Sequence, residues 1–145
     1  MEHALGVRVE TFNPEVQIGG KMQSLEASKR ASREIYTAEQ SRWNRGWKNL
    51  TKYETGVSPE RLADYEKSAM ESLNGSYDLA MEAYVSTIKD ASVTARDAKV
   101  LGLSTKKVVN MLKEAGFSDD NGEIQAILSG NFSKLRLKFK RKEKF

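Results

Sequence analysis

Residues 94–113, TARDAKVLGLSTKKVVNMLK, leave few folds open. Their spacing predicts a helix, a tight turn and a second helix, with Gly102 at the turn. Ala98 stands four residues before the glycine, where a small side chain lets two helices approach closely. Leu101 and Leu103 flank Gly102 and are expected to point inward. Ser104 can accept from a backbone N–H and so cap the second helix, whose buried face is expected at Val108 and Met111. Thr105, Lys106, Asn110 and Lys113 then fall on an outward face, and such side chains suit phosphates and base edges.

Around this pair the chain reads as mainly α, in a single domain over residues 1–145. The expectation is about six helices and a small two-stranded β element formed by the termini. Val7, Val9 and Thr11 alternate with Arg8 and Glu10, the period of a short strand. Asn13-Pro14 and Gly19-Gly20 are expected to break the chain. A long helix is predicted from Ser24, with Leu25, Ala31, Ile35, Ala38, Trp43, Trp47 and Leu50 spaced mostly at threes and fours and Gly56 as its stop. Ser58-Pro59-Glu60 then starts a helix: a capping hydroxyl, a proline in the first turn, and an acid near the positive end. Its apolar face is Leu62, Tyr65, Ala69 and Leu73. Asn74-Gly75 reads as a break before a helix marked by Tyr77, Ala80, Tyr84 and Ile88, with one continuous helix as the alternative. Gly116 can end the second helix of the glycine-turn pair in the left-handed conformation. Asp119 or Asp120 can cap a last helix through Ile124, Ile127 and Leu128, closed by Gly130.

Residues 131–145 form a basic strand or arm. Leu135, Leu137 and Phe139 alternate with Lys134, Arg136, Lys138 and Lys140, giving one apolar and one cationic face, and Arg141 and Lys142 follow. This strand can pair with the one at the N-terminus. The net charge of +4 is therefore uneven, since residues 54–90 are comparatively acidic. Such asymmetry points to an anionic partner at one end.

Several chemistries are excluded. The chain has no cysteine, hence no disulfide, thiolate ligand or cysteine nucleophile. Its one histidine, His3, lies in a terminal segment, which argues against a triad or a histidine metal site. Asp119-Asp120-Asn121-Gly122-Glu123 has the look of a calcium loop, but aligning it on the glycine puts Phe117 and Leu128 at the two key carboxylate positions. No phosphate-cradling glycine motif is present. Trp43, Trp47, Tyr36 and Tyr53 stand at helical spacing, which favours core over a binding face. No apolar run approaches the roughly 20 residues of a membrane span. The expectation is a cytoplasmic, non-enzymatic protein without cofactor and without membrane contact.

Two resemblances sharpen this reading. LGLSTKKVVNML resembles the AGVSxxTVSxVL pattern of the helix-turn-helix in lac-repressor-family regulators, over about a seventh of the chain. It implies DNA as partner, with Lys106, Lys107 and Lys113 on phosphates and Thr105 and Asn110 at base edges, beside Ser104. Lys134, Arg136, Lys138, Lys140, Arg141 and Lys142 would add electrostatic hold. Asp97 departs from the pattern at a position usually apolar and buried, which would cost stability unless the acid is paired. The second resemblance covers most of the chain. SPERLADYEKSAMESL, AKVLGLSTKKVVNMLKEAGFS and IQAILSGNF are similar to helical modules of large phage virion and polyvalent proteins. It implies a phage origin, a host-cytoplasm or virion location, and protein interaction or virion assembly without DNA binding. Either reading is compatible with a homo-oligomer.

Overall fold

The computed structural model describes residues 13–135. Four helices are found among them: α1 (Pro14–Lys52), α2 (Pro59–Val100), α3 (Thr105–Ala115) and α4 (Glu123–Ser129). The all-α character holds, and the expected count of about six is corrected to four. No strand is found among the described residues. The N-terminal strand and residues 136–140 of the C-terminal one lie outside them. At the start of the latter, Lys134 is in a turn and Leu135 is buried.

The lower count has a physical cause. Asn13-Pro14 opens a helix: the Asn13 side chain accepts from the Glu15 amide at 3.0 Å and Pro14 takes the first turn. Helix α1 then runs straight through Gly19 and Gly20, and α2 runs through Asn74-Gly75. Three expected helices thus merge into α2, 42 residues long. A glycine inside a helix costs about 1 kcal/mol against alanine. A continuous buried stripe outweighs that. On α2 the stripe is Leu73, Tyr77, Ala80, Tyr84, Thr87, Ala91, Thr94 and Ala98, in alternating steps of four and three. On α1 Met22, Lys29, Tyr36, Trp43 and Leu50 recur every seven residues, each buried or half-buried. Such repeats are the pattern of helices that bury one face.

The chain forms two compact units. Residues 29–85 make up the described part of one, and residues 13–28 with 86–135 the described part of the other. The first is an antiparallel hairpin of α1 and α2. Trp43 meets Tyr65 edge-on at 5.2 Å, and Tyr36 meets Tyr77 at 5.7 Å, so residue numbers rise on one arm as they fall on the other.

In the second unit the end of α2, α3, α4 and the start of α1 share a core of Ile18, Met22, Ala98, Val108, Leu112 and Ile127. Gly102 and Gly116 each close a helix by the same device. The Leu103 amide returns to the Ala98 carbonyl and the Gly102 amide to Lys99, both at 3.0 Å. The Phe117 amide returns likewise to Leu112, and that of Gly116 to Lys113. Both glycines have strongly positive φ, +94° and +110°, which other residues adopt only at a cost.

Candidate nucleic-acid interface

The glycine-turn pair exists, and its details differ from the expected ones. Ala98 and Val108 are fully buried. Leu112 takes the place expected for Met111, which is half-buried. The rotation follows from the turn, since Leu112 is the carbonyl to which Phe117 returns and both side chains enter the core. Leu101 is 49% exposed because it stands at the end of α2, where the backbone leaves the helix before reversing. Asp97 is exposed, so its carboxylate stays hydrated and carries no burial cost.

The residues expected to hold nucleic acid are placed as follows. Ser104 has extended backbone angles, and its hydroxyl accepts from the Lys107 amide at 3.2 Å. It therefore works as the helix cap. Thr105, Lys106, Asn110 and Lys113 are exposed, as the spacing required. Lys107 is exposed as well, and its Nζ lies 2.9 Å from Glu15 Oε1 on α1. Lys113 Nζ stands 3.4 Å from Asp119 Oδ2. Both pairs are half-exposed, where an ion pair contributes little, about 0–1 kcal/mol. Lys106 makes no ion pair among the described residues. Lys134 is exposed beside α4. Arg136, Lys138, Lys140, Arg141 and Lys142 lie outside the described residues.

Asn110 borders an open groove of about 500 Å³ shared with Glu15, Gln23, Lys107 and Glu114. Helix α3 packs along the start of α1 here, for a side chain added at Gly19 would meet Met111 at 3.7 Å. The groove thus sets two carboxylates beside the side chain expected to read bases. The wider charge balance agrees. Residues 13–28 and 86–135 together hold eight Lys and Arg and eight Asp and Glu. That is no electrostatic footprint for a polyanion.

A basic stripe missed in the sequence runs along α2 instead. Lys89, Arg96 and Lys99 follow helical spacing on the side next to α4. Lys89 Nζ is 5.9 Å from the centre of the Phe132 ring. Arg96 and Lys99 border a cleft of about 220 Å³ with Leu128 and Ser129. These cations lie near the carbonyl end of α4, an arrangement that the helix dipole favours. Their spacing, with Ser92 between, was the available sequence signal: the Ser92 hydroxyl donates to the Ile127 carbonyl at 2.7 Å.

Glu123 corrects another expectation. Gly122, and not Asp119 or Asp120, precedes α4, and the loop is tied by a fully buried carboxylate. Glu123 Oε1 accepts from the Ser118 amide at 2.8 Å and Oε2 from the Asn121 side chain at 2.9 Å. No cluster of metal-ligating side chains occurs among the described residues.

The hairpin has its own polar centre. Glu39 Oε1 accepts from Ser72 at 2.8 Å, from the Trp43 indole at 3.0 Å and from Arg42 at 2.8 Å. The Ser72 and Trp43 hydrogen bonds, with Arg42 nearby, hold its carboxyl below the ordinary glutamate value. Trp43 and Trp47 are half-buried against Tyr65, which matches packing better than an open aromatic face. Tyr53 is 72% exposed. No helix among the described residues is long and apolar enough to cross a membrane. No protein-family model matches this chain, and comparison with curated proteins and with solved structures finds no match.

Proposed function

We propose that this chain is a non-enzymatic helical module that binds protein through exposed helix faces. One observation carries the reading. Within residues 29–85 the hairpin presents Ile35 and Leu79, 68% and 69% exposed, one on each helical arm. Large apolar side chains on rigid helices are what a partner helix packs against. The resemblance to phage virion modules points the same way. In α3, Lys107 and Lys113 face acids and Asn110 borders two carboxylates, which fits a structural helix better than one lying in a major groove.

A photo-crosslinking side chain at residue 35, 79 or 106, introduced one at a time, tests this in cells. Adducts to polypeptide from residues 35 and 79 support the reading. Adducts to nucleic acid from residue 106, with none to polypeptide from the hairpin positions, overturn it.

Nucleic-acid binding remains as a second reading on a different footing. Residues 136–145 carry six Lys and Arg against one acid, whereas residues 13–135 hold equal numbers of each sign. Any affinity for a polyanion would then belong to that segment and be largely independent of sequence.

A further inference from the structure

The hairpin of residues 29–85 divides its charge between its arms. On α1, residues 29–52 carry seven Lys and Arg and two acids. On α2, residues 59–85 carry six Asp and Glu and two bases. Many of these charges make no ion pair among the described residues. Arg45, Lys48 and Lys52 on one arm, and Asp64, Glu71 and Glu82 on the other, are exposed and make no ion pair among the described residues.

The apolar side chains are placed just as systematically. The Glu39–Ser72 hydrogen bond brings one stripe of each arm to the same side of the seam. Ile35 lies four residues before Glu39 on its stripe, and Leu79 lies seven residues after Ser72 on the other. Both therefore emerge on one broad face. They stand at one level along the hairpin, because opposed residues such as Tyr36 and Tyr77 have nearly the same summed numbers. Exposed neighbours on that face include the small Ala31 and Ala38 on α1 and Ala83 on α2, and Arg42, seven residues after Ile35, which is held to Glu39. The charged residues Arg30, Lys48 and Glu71 project elsewhere by helical phase, and Glu82, three residues after Leu79, borders the face.

We propose that the occupant of this face is a second copy of the same hairpin, related by a two-fold axis parallel to the helices. This inference rests on the protein-interaction reading above and names its partner. The axis lays each basic α1 arm along the acidic α2 arm of the second copy, running antiparallel. Ile35 of each copy then meets Leu79 of the other at the same level, and the small alanines let the four helices close to a bundle. An arrangement that put like arms together would oppose seven bases to seven bases, so the charge pattern selects this one.

The test uses the full chain and its sedimentation at a series of concentrations. The wild-type protein is expected to pass from monomer to dimer, and added salt should weaken the dimer. Ile35→Lys alone and Leu79→Glu alone should each weaken association by about tenfold or more, since either puts a charge against an apolar side chain. Both side chains are exposed in the single chain, so circular dichroism and melting of the monomers should be unchanged. An equimolar mixture of the two variants should regain the dimer, because in the mixed pair the introduced lysine faces the introduced glutamate and Leu79 still faces Ile35. A wild-type protein that stays monomeric overturns the proposal, as does a mixture no tighter than its components. If crosslinks from residues 35 and 79 still reach other polypeptides in either case, the interaction reading survives and only its partner is wrong. If they reach none, both fall.

Discussion

The Tyr65 hydroxyl fills the space a side chain at Gly46 would need, and it donates to the Trp43 carbonyl at 2.7 Å. A methyl group on residue 46 would overlap that oxygen and stand 3.0 Å from the ring carbon bearing it. The glycine therefore admits a tyrosine to the backbone of the opposite helix. The contact gives the helical Trp43 carbonyl a second donor and seats the Tyr65 ring, half-buried, against two indoles.

This contact separates two glycines that look alike in the sequence. Gly46→Ala should destabilise the hairpin by about 1–3 kcal/mol, because overpacking outweighs the better helix propensity. Gly75→Ala meets nothing within 4 Å and should stabilise by about 0.5–1 kcal/mol. Urea unfolding of the two variants measures both. Equal shifts of the same sign would mean that Tyr65 does not occupy this position.

The same distinction explains how much of the fold was legible. Glycine marks helix ends correctly at Gly102, Gly116 and Gly130, all with positive φ. It misleads at Gly19, Gly20 and Gly75, which sit inside helices. At Gly102 and Gly116 the difference lies in the two residues after the glycine. Gly102 and Gly116 precede an apolar residue and a serine, Leu103-Ser104 and Phe117-Ser118. The apolar residue returns its amide to the helix just ended, and the serine caps the next turn. Gly75 precedes Ser76 and Tyr77, and no such reversal is set up. What overrode the expected break was tertiary: heptad stripes on α1 and α2 bury enough surface to outweigh several poor helix formers. At the candidate site, exposure of Thr105, Lys106, Asn110 and Lys113 was readable from period alone. The pairing of Lys107 with Glu15 was not, because the partner lies on a helix remote in sequence.

Ser104 should prove structural. Ser104→Ala removes the acceptor for the Lys107 amide and should cost about 1 kcal/mol of stability. Ser104→Asp keeps an acceptor and adds a negative charge at the positive end of α3, so it should be neutral or slightly stabilising. Thermal melts decide this. A harmless Ser104→Ala together with a damaging Ser104→Asp would point to a role other than capping.

Glu39 predicts an acid limb of stability. Its carboxyl is held below the ordinary 4.5 by Ser72, Trp43 and Arg42, so the folded state binds a proton less readily than the unfolded one. The stabilisation is fully present above the unfolded value and is lost as pH falls through the lowered folded value. Glu39→Gln should therefore flatten the dependence of the urea midpoint on pH as pH falls below the ordinary glutamate value. It should also lower stability at neutral pH, where the charged acceptor is lost. An unaltered pH profile in the variant would mean that other carboxylates carry the acid response.

The last prediction separates the two sources of positive charge. If α3 held DNA, replacing Lys106 and Lys113 with alanine would lower the slope of log affinity against log salt by about two units. The neutral balance of residues 13–135 and the acids beside Lys107 and Lys113 lead to a different expectation. The double variant should leave affinity for random DNA within about twofold of wild type and the slope unchanged. Removing residues 136–145 takes away six cations, and should abolish measurable binding or lower the slope by about five units. Asn110→Ala should change no base preference, because its side chain borders the groove shared with Glu15 and Glu114. Fluorescence anisotropy on one random and one genomic duplex at several salt concentrations measures all three. A loss of sequence preference on replacing Asn110, in a protein that remains folded, would return the helix pair to the role of DNA reader.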